Sequence, residues 1–118
     1  MHELSLAQNI LEIVEQNVPS QQRPLVKSIK LRLGESSGVV SDSLEFCFSI
    51  ITADTPMNGA FLQIERIPFM IACSVCRKSF ESPMGMSQCP QCGSRETDIV
   101  GGTEMRVVEI ELNDPEST

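Results

Sequence analysis

Four cysteines, arranged as two Cys-x-x-Cys pairs, are the residues of this 118-residue chain with the clearest chemistry. The first pair is Cys73 and Cys76, and the second, twelve residues further on, is Cys89 and Cys92. Two such pairs folded together supply four thiolates to one tetrahedral Zn²⁺ ion. The proline after Cys89 presets a turn, and Gly93 suits the positive φ that aims backbone N–H groups at a thiolate. The spacing therefore predicts a zinc ribbon with a structural metal site.

A thiol oxidoreductase is the main alternative for these cysteines. That chemistry needs only one Cys-x-x-Cys pair, set after a strand of a βαβ unit, so the second pair would be unexplained. The fifth cysteine, Cys47, lies in an apolar run, and we expect it to be a buried, unreactive thiol. The sequence has neither a secretory signal pattern nor an apolar run of membrane-spanning length. We therefore expect a cytoplasmic protein whose paired thiols hold metal.

The single histidine is residue 2, and its position allows a second kind of metal site. The α-amine of Met1 and the amide and imidazole nitrogens of His2 could chelate one ion in fused rings. Such nitrogen donors favour square-planar Ni²⁺ or Cu²⁺. Glu3 could complete the set, and Asp42 is a speculative further carboxylate ligand, with helix capping as its alternative role. A lone histidine near a terminus is usually inert, so spacing alone leaves this site open.

The composition excludes several classes of function. The formal net charge is −7 and the chain has no basic run, which argues against binding to nucleic-acid phosphates. It contains five phenylalanines but neither tryptophan nor tyrosine, and these form no stacking platform for bases. No nucleophile–base pair and no phosphate-binding glycine loop are present. We therefore expect a binding protein and not an enzyme.

The elements outside the cysteine segment alternate between helix and strand patterns. Apolar residues at spacings of three and four predict helices, and strict alternation predicts strands. We expect the first helix to bury a broad stripe that includes Leu4 and Leu11. We expect the second helix to bury Leu44, Cys47, Phe48 and Ile51. The predicted elements are helix 3–18, strand 28–34, a helix capped by Ser41 or Ser43 and ending near Thr52, strand 61–67 and strand 105–112.

This order predicts an α+β fold. We expect a three-stranded sheet with two helices on one face, plus a zinc ribbon inserted between the second and third strands. The expected domains are residues 1–67, completed by the strand at 101–112, and a zinc-ribbon domain at 68–100. Residues 113–118 are expected to form a polar tail, while 20–24 and 34–38 are expected to be a connector and a loop.

Several segments along the chain resemble the HypA/HybF family of hydrogenase-maturation nickel chaperones. The opening Met-His-Glu-Leu-Ser-Leu is the most specific, and its combination with a late four-cysteine ribbon strengthens the resemblance. One departure is Arg77, which occupies the place after the first cysteine pair where glycine is common. Further similarity lies in residues 34–40, 44–48, 59–65 and 102–111.

The resemblance implies a protein with two metals. Zn²⁺ would be structural and held by the four paired cysteines, whereas Ni²⁺ would be held transiently at the N-terminus, centred on His2 with Glu3 beside it. It also implies two partners, a nickel-handling GTPase (HypB) and the large subunit of [NiFe] hydrogenase, with urease served by some relatives. The alternative function is a zinc-ribbon adaptor that has no role in nickel handling.

Overall fold

The fold is seen in a computed structural model that describes residues 3–82 and 87–114. Two predicted irregular segments are instead short 3₁₀ helices, at Ser20–Leu25 and Glu35–Ser37. Pro24 fits the first of these because its ring presets a helical φ. The helices and strands, in chain order, are α1 (Glu3–Asn17), β1 (Val26–Gly34), α2 (Ser41–Thr52), β2 (Phe61–Ile67), β3 (Met70–Cys73), β4 (Ser79–Glu81), β5 (Thr97–Gly101) and β6 (Met105–Leu112).

The strands form two separate three-stranded sheets. The first has the order β2-β1-β6 and contains the three predicted strands. The second has the order β4-β3-β5 and is antiparallel, with Ile71 opposite both Phe80 and Ile99. The predicted α+β class, with a three-stranded sheet, two helices and an inserted ribbon, is confirmed. The second sheet was not predicted, because its strands are only three to five residues long.

Helix α1 buries a narrower and differently placed face than its sequence pattern predicts. Its fully buried residues are Leu6, Ala7, Ile10 and Val14, whereas Leu4 is 47% exposed. Seven apolar residues spread around this helix, so the pattern alone does not determine which of them face inward. The packing of α1 along α2 makes that choice.

Helix α2 also differs from its prediction in detail. Leu44 and Phe48 are buried as expected, but Cys47 and Ile51 are only half-buried. Thr52 is buried in the core instead. Its hydroxyl donates a hydrogen bond of 2.8 Å to the carbonyl of Phe48, so burial of this polar group costs little free energy. The prediction of a buried Cys47 thiol was therefore wrong.

The chain divides into two compact units. The first contains residues 1–31, 39–65 and 106–118, and its core combines α1, α2 and the inward side chains of β1, such as Ile29 and Leu31. The second contains residues 32–38 and 66–105, which include all four paired cysteines. None of the described helices is long and apolar enough to cross a membrane.

Two glycines fix a close backbone approach within the second unit. The N–H of Gly34 donates to the carbonyl of Glu104 at 2.6 Å, and the N–H of Ser36 donates to the carbonyl of Gly102 at 3.1 Å. A Cβ on Gly34 would overlap the carbonyl of Gly102, and Gly102 itself has a φ of +91° beside the backbone of Phe69. Side chains are excluded at both glycines, so segment 34–38 lies directly against residues 102–104.

Candidate metal centre

The first cysteine pair lies in a tight turn at the end of β3. The N–H of Arg77 donates to the carbonyl of Cys73 at 2.8 Å, and the N–H of Cys73 donates to the carbonyl of Lys78 at 2.9 Å. Arg77 is the only described residue other than glycine with a positive φ, +58°. Left-handed backbone costs a residue with a side chain about 1–2 kcal/mol. Arg77 therefore performs, at a cost, the conformational role that glycine usually has in such turns.

The second pair repeats the same backbone pattern. The N–H of Gly93 donates to the carbonyl of Cys89 at 2.9 Å, and the N–H of Cys89 donates to the carbonyl of Ser94 at 2.9 Å. The left-handed position is occupied here by Gly93, with a φ of +75°. Each turn therefore projects its two cysteine side chains from equivalent positions, as the Cys-x-x-Cys spacing predicts.

The two turns bring all four sulfur atoms together. The Sγ atoms of Cys73, Cys76, Cys89 and Cys92 all lie within 4.8 Å of one another. Two cross-turn distances are shorter: Cys73 to Cys92 is 3.6 Å, and Cys76 to Cys89 is 3.7 Å. A tetrahedral ion with Zn–S bonds of 2.3 Å places its sulfurs about 3.8 Å apart. All four are free thiols, so the donor set fits zinc in both chemistry and spacing.

The surroundings of the four sulfurs differ in exposure. Cys73 and Cys89 are buried, Cys76 is half-buried and Cys92 is exposed. The cluster therefore has a dry side and a side that meets solvent at Cys92.

Backbone N–H groups give the thiol of Cys89 an unusual acidity. The N–H of Cys92 points at the Cys89 sulfur from 3.5 Å and, with the N–H of Gln91, lowers the pKa of Cys89 to about 6 against the opposing effect of burial. A hydrogen bond from the N–H of Ser94 lowers the pKa of Cys92. Hydrogen bonds with the thiols of Cys89 and Cys73, together with burial, have a larger opposite effect and raise the pKa of Cys92 to about 11. Burial, followed by hydrogen bonds with Cys73 and Cys89, raises the pKa of Cys76.

The predicted nickel ligands are only partly within the described residues. Met1 and His2 lie outside them. Glu3 begins α1, and its carboxylate accepts a hydrogen bond of 3.5 Å from the N–H of Val40, the residue that precedes α2. Asp42 is exposed in the first turn of α2. Glu3 and Asp42 therefore lie near the same helix end, where negative charge is favoured by the helix dipole.

The predicted cap of α2 was wrong. The position before the helix is held by Val40 and not by Ser41 or Ser43, and the side chain of Val40 forms no capping hydrogen bond. The sequence pattern could not have revealed the contact with Glu3, because it joins residues 37 positions apart.

Comparison with known proteins identifies the family of this chain. A family model described as "Hydrogenase/urease nickel incorporation, metallochaperone, hypA" matches residues 1–112. The chain belongs to the HypA family. The resemblance inferred from the sequence is confirmed.

Individual HypA proteins match along almost their full length. The hydrogenase maturation factor HypA of Geobacter metallireducens is 40% identical over 112 residues, which cover 95% of this chain and 99% of that protein. The HypA of Geotalea uraniireducens is 39% identical over the same coverage. The fold is also that of a solution structure of the Ni metallochaperone HypA from Helicobacter pylori, with a TM-score of 0.65 and 22% identity over 96% of this chain and 98% of that one.

Proposed function

We propose that this member of the HypA family is a nickel metallochaperone that binds Ni²⁺ at its N-terminus and delivers it for the maturation of [NiFe] hydrogenase. The family match supports this most directly, because it begins at residue 1 and so includes Met1, His2 and Glu3. The nitrogen donors of Met1 and His2 are chemically suited to Ni²⁺. The nickel ion would be the cargo of this protein, held transiently and passed on to a recipient.

The carboxylates of Glu3 and Asp42 support the same location. Both belong to the first turns of helices, and the hydrogen bond between Glu3 and the N–H of Val40 keeps the start of α1 beside the start of α2. A cation bound at the chain end would therefore have two negative groups near it. We assign Glu3 to the nickel ligand set. Asp42 is a speculative additional ligand, whose alternative role is to stabilise the first turn of α2.

The four paired cysteines would hold a structural Zn²⁺ ion. Four thiolates complete the coordination sphere of zinc and leave no open position for chemistry. Their role would be to hold the two cysteine turns of the second unit together. We infer that zinc is permanent and nickel is exchanged, and that the protein performs no catalysis of its own.

The partners implied by this function are a nickel-handling GTPase (HypB) and the large subunit of [NiFe] hydrogenase, in the cytoplasm. The hydrogenase maturation named in the relatives' descriptions supports a hydrogenase as the recipient.

The function can be tested in a cell that assembles [NiFe] hydrogenase, with the His2→Ala substitution introduced into the native gene. We expect the nickel content of the purified hydrogenase large subunit to fall by about tenfold or more, because the imidazole is the only one in the chain. The variant protein should accumulate normally and still contain zinc.

Gln8→Ala is a matched control, since Gln8 is an exposed polar residue of α1 that follows Glu3 by five positions and is not among the proposed ligands. It should leave the nickel content of the large subunit unchanged. Normal nickel incorporation in the His2→Ala strain would contradict the proposed function and favour the adaptor alternative.

A further inference from the structure

Helix α2 has a second apolar face that points to solvent. Phe46 and Ile50 are 54% and 59% exposed, and they lie four residues apart on the same side of the helix. Together with Asp42, Ser43 and the half-buried Cys47 they line an open depression of about 400 Å³. We call this surface the outer face of α2.

The fold does not need this outer face. The inward side of α2 is already complete, because Leu44, Phe48 and Thr52 are each no more than 1% exposed. A phenylalanine and an isoleucine stacked on the solvent side add nothing to that core. Neighbouring large apolar side chains at a surface mark sites of protein association.

The charge around this face has one sign. Helices α1 and α2 together contain five acidic residues and no lysine or arginine. On α2 itself, Asp42 and Glu45 are both exposed and lie within a turn of Phe46. No basic residue occurs anywhere from position 33 to position 65. The outer face is thus an apolar strip with an acidic border.

We propose that the outer face of α2 is a docking surface for a basic amphipathic helix of a partner protein. A helix with apolar side chains at spacings of three and four would cover Phe46 and Ile50. Lysine or arginine residues beside its apolar stripe would meet Asp42 and Glu45 and would speed the encounter. Two copies of this chain would not fit, because pairing the outer faces would bring acidic residues against acidic residues.

The outer face of α2 begins at Asp42, so a partner docked along α2 would lie beside the proposed nickel ligands. The docking proposal does not depend on nickel binding, however, and it can be tested on nickel-free protein.

The test uses a labelled probe peptide about four helical turns long, with leucines at helical spacing flanked by lysines. Its binding to zinc-loaded, nickel-free protein is followed by fluorescence anisotropy. We expect Phe46→Ser combined with Ile50→Ser to weaken binding at least about tenfold, and Glu45→Gln to weaken it less. The matched control, Val108→Ser with Leu112→Ser, changes two apolar residues of β6 that are each 39% exposed, and it should leave the affinity unchanged.

Two further measurements keep the proposal open to contradiction. Amide chemical shifts of the unmodified protein should change on α2, between residues 42 and 50, when the peptide is added, whether or not the variants fold. A matched peptide with glutamate in place of every lysine should bind at least about tenfold more weakly.

Equal binding of the two peptides, equal affinity in the Phe46/Ile50 variant, or shift changes confined to other elements would overturn the proposal. Concentration-dependent dimers that disappear in the Phe46/Ile50 variant would also overturn it, since the occupant would then be a second copy of the chain.

Discussion

The four paired cysteines are chemically unequal, although the sequence presents them as two identical pairs. Cys89 has a pKa of about 6 because backbone N–H groups of its own turn point at its sulfur, whereas Cys92 has a pKa of about 11. The folded turns therefore favour the thiolate of Cys89 over that of Cys92. The thiolate is the form that binds metal, so Cys89 is the ligand that the fold prepares most strongly.

This difference predicts unequal losses of zinc affinity. Cys89→Ser should weaken zinc binding more than Cys92→Ser, because backbone N–H groups stabilise the Cys89 thiolate and the thiolate is the form that binds metal. Competition with a chromophoric zinc chelator at pH 7 measures both variants. A larger loss in Cys92→Ser would show that the N–H groups do not favour the Cys89 thiolate.

At this scale the sequence predicted the residues but not their properties. The two Cys-x-x-Cys spacings were enough to predict that Cys73, Cys76, Cys89 and Cys92 form one group. The pKa differences depend on which N–H groups point at which sulfur, and that is determined by backbone direction. The proposed nickel ligands Met1, His2 and Glu3 remain a prediction from the sequence.

Among the structural elements, the two cysteine turns share one backbone pattern but differ at one position. Arg77 holds a φ of +58° where the second turn has Gly93 at +75°. A Cβ atom added to Gly93 would have only the side-chain amide nitrogen of Gln88 within 4 Å, so it would meet no steric barrier. The two positions thus isolate the conformational cost of a side chain in left-handed backbone.

Two opposite substitutions measure that cost. Arg77→Gly should stabilise the zinc-loaded protein by about 0.5–1 kcal/mol, since relief of the left-handed strain exceeds the entropy lost by glycine. Gly93→Ala should destabilise it by about 1–2 kcal/mol. Urea-induced unfolding of the second unit, followed by release of zinc to a chromophoric indicator, measures both, and a loss of stability in Arg77→Gly would mean that the arginine side chain makes a contribution larger than its strain.

The positions of the helices and long strands along the chain could be predicted from the sequence. Which side chains of each helix face the core could be predicted less well. The predicted strands 61–67 and 105–112 agree with β2 and β6. In α1 the apolar stripe is so broad that its pattern fits several orientations, and contact with α2 selects Leu6, Ile10 and Val14 over Leu4. In α2 the apolar residues Phe46 and Ile50 were not identified as exposed, because periodicity does not distinguish a core face from a docking face.

At the scale of the whole molecule, the chain forms two units with different sources of stability. Both helices belong to the first unit, whose core is made of aliphatic and aromatic side chains. The second unit contains the four cysteines, and the strands that lie wholly within it, β3, β4 and β5, are only three to five residues long. The predicted boundaries at 67 and 100 remain a prediction about how the chain folds, and they can be tested by removing the metal.

We expect removal of zinc with a strong chelator under reducing conditions to unfold the second unit selectively. Structural zinc sites contribute on the order of 10 kcal/mol to folding, which a segment with so few buried residues cannot replace. Helical circular dichroism at 222 nm should be largely retained, while protease cleavage appears between residues 66 and 105. Complete loss of the helical signal on zinc removal would show that the two units fold as one.

The most direct test of the central claim is a calorimetric titration of Ni²⁺ into untagged, zinc-loaded protein and into its His2→Ala variant. We predict that about one Ni²⁺ binds per chain, that binding disappears in the variant while zinc is retained, and that affinity falls as the pH is lowered from about 7.5 to 6, because the amine and the imidazole must be deprotonated to bind. Equal nickel binding by the two proteins, or none by either, would contradict the claim that this chain carries nickel at its N-terminus.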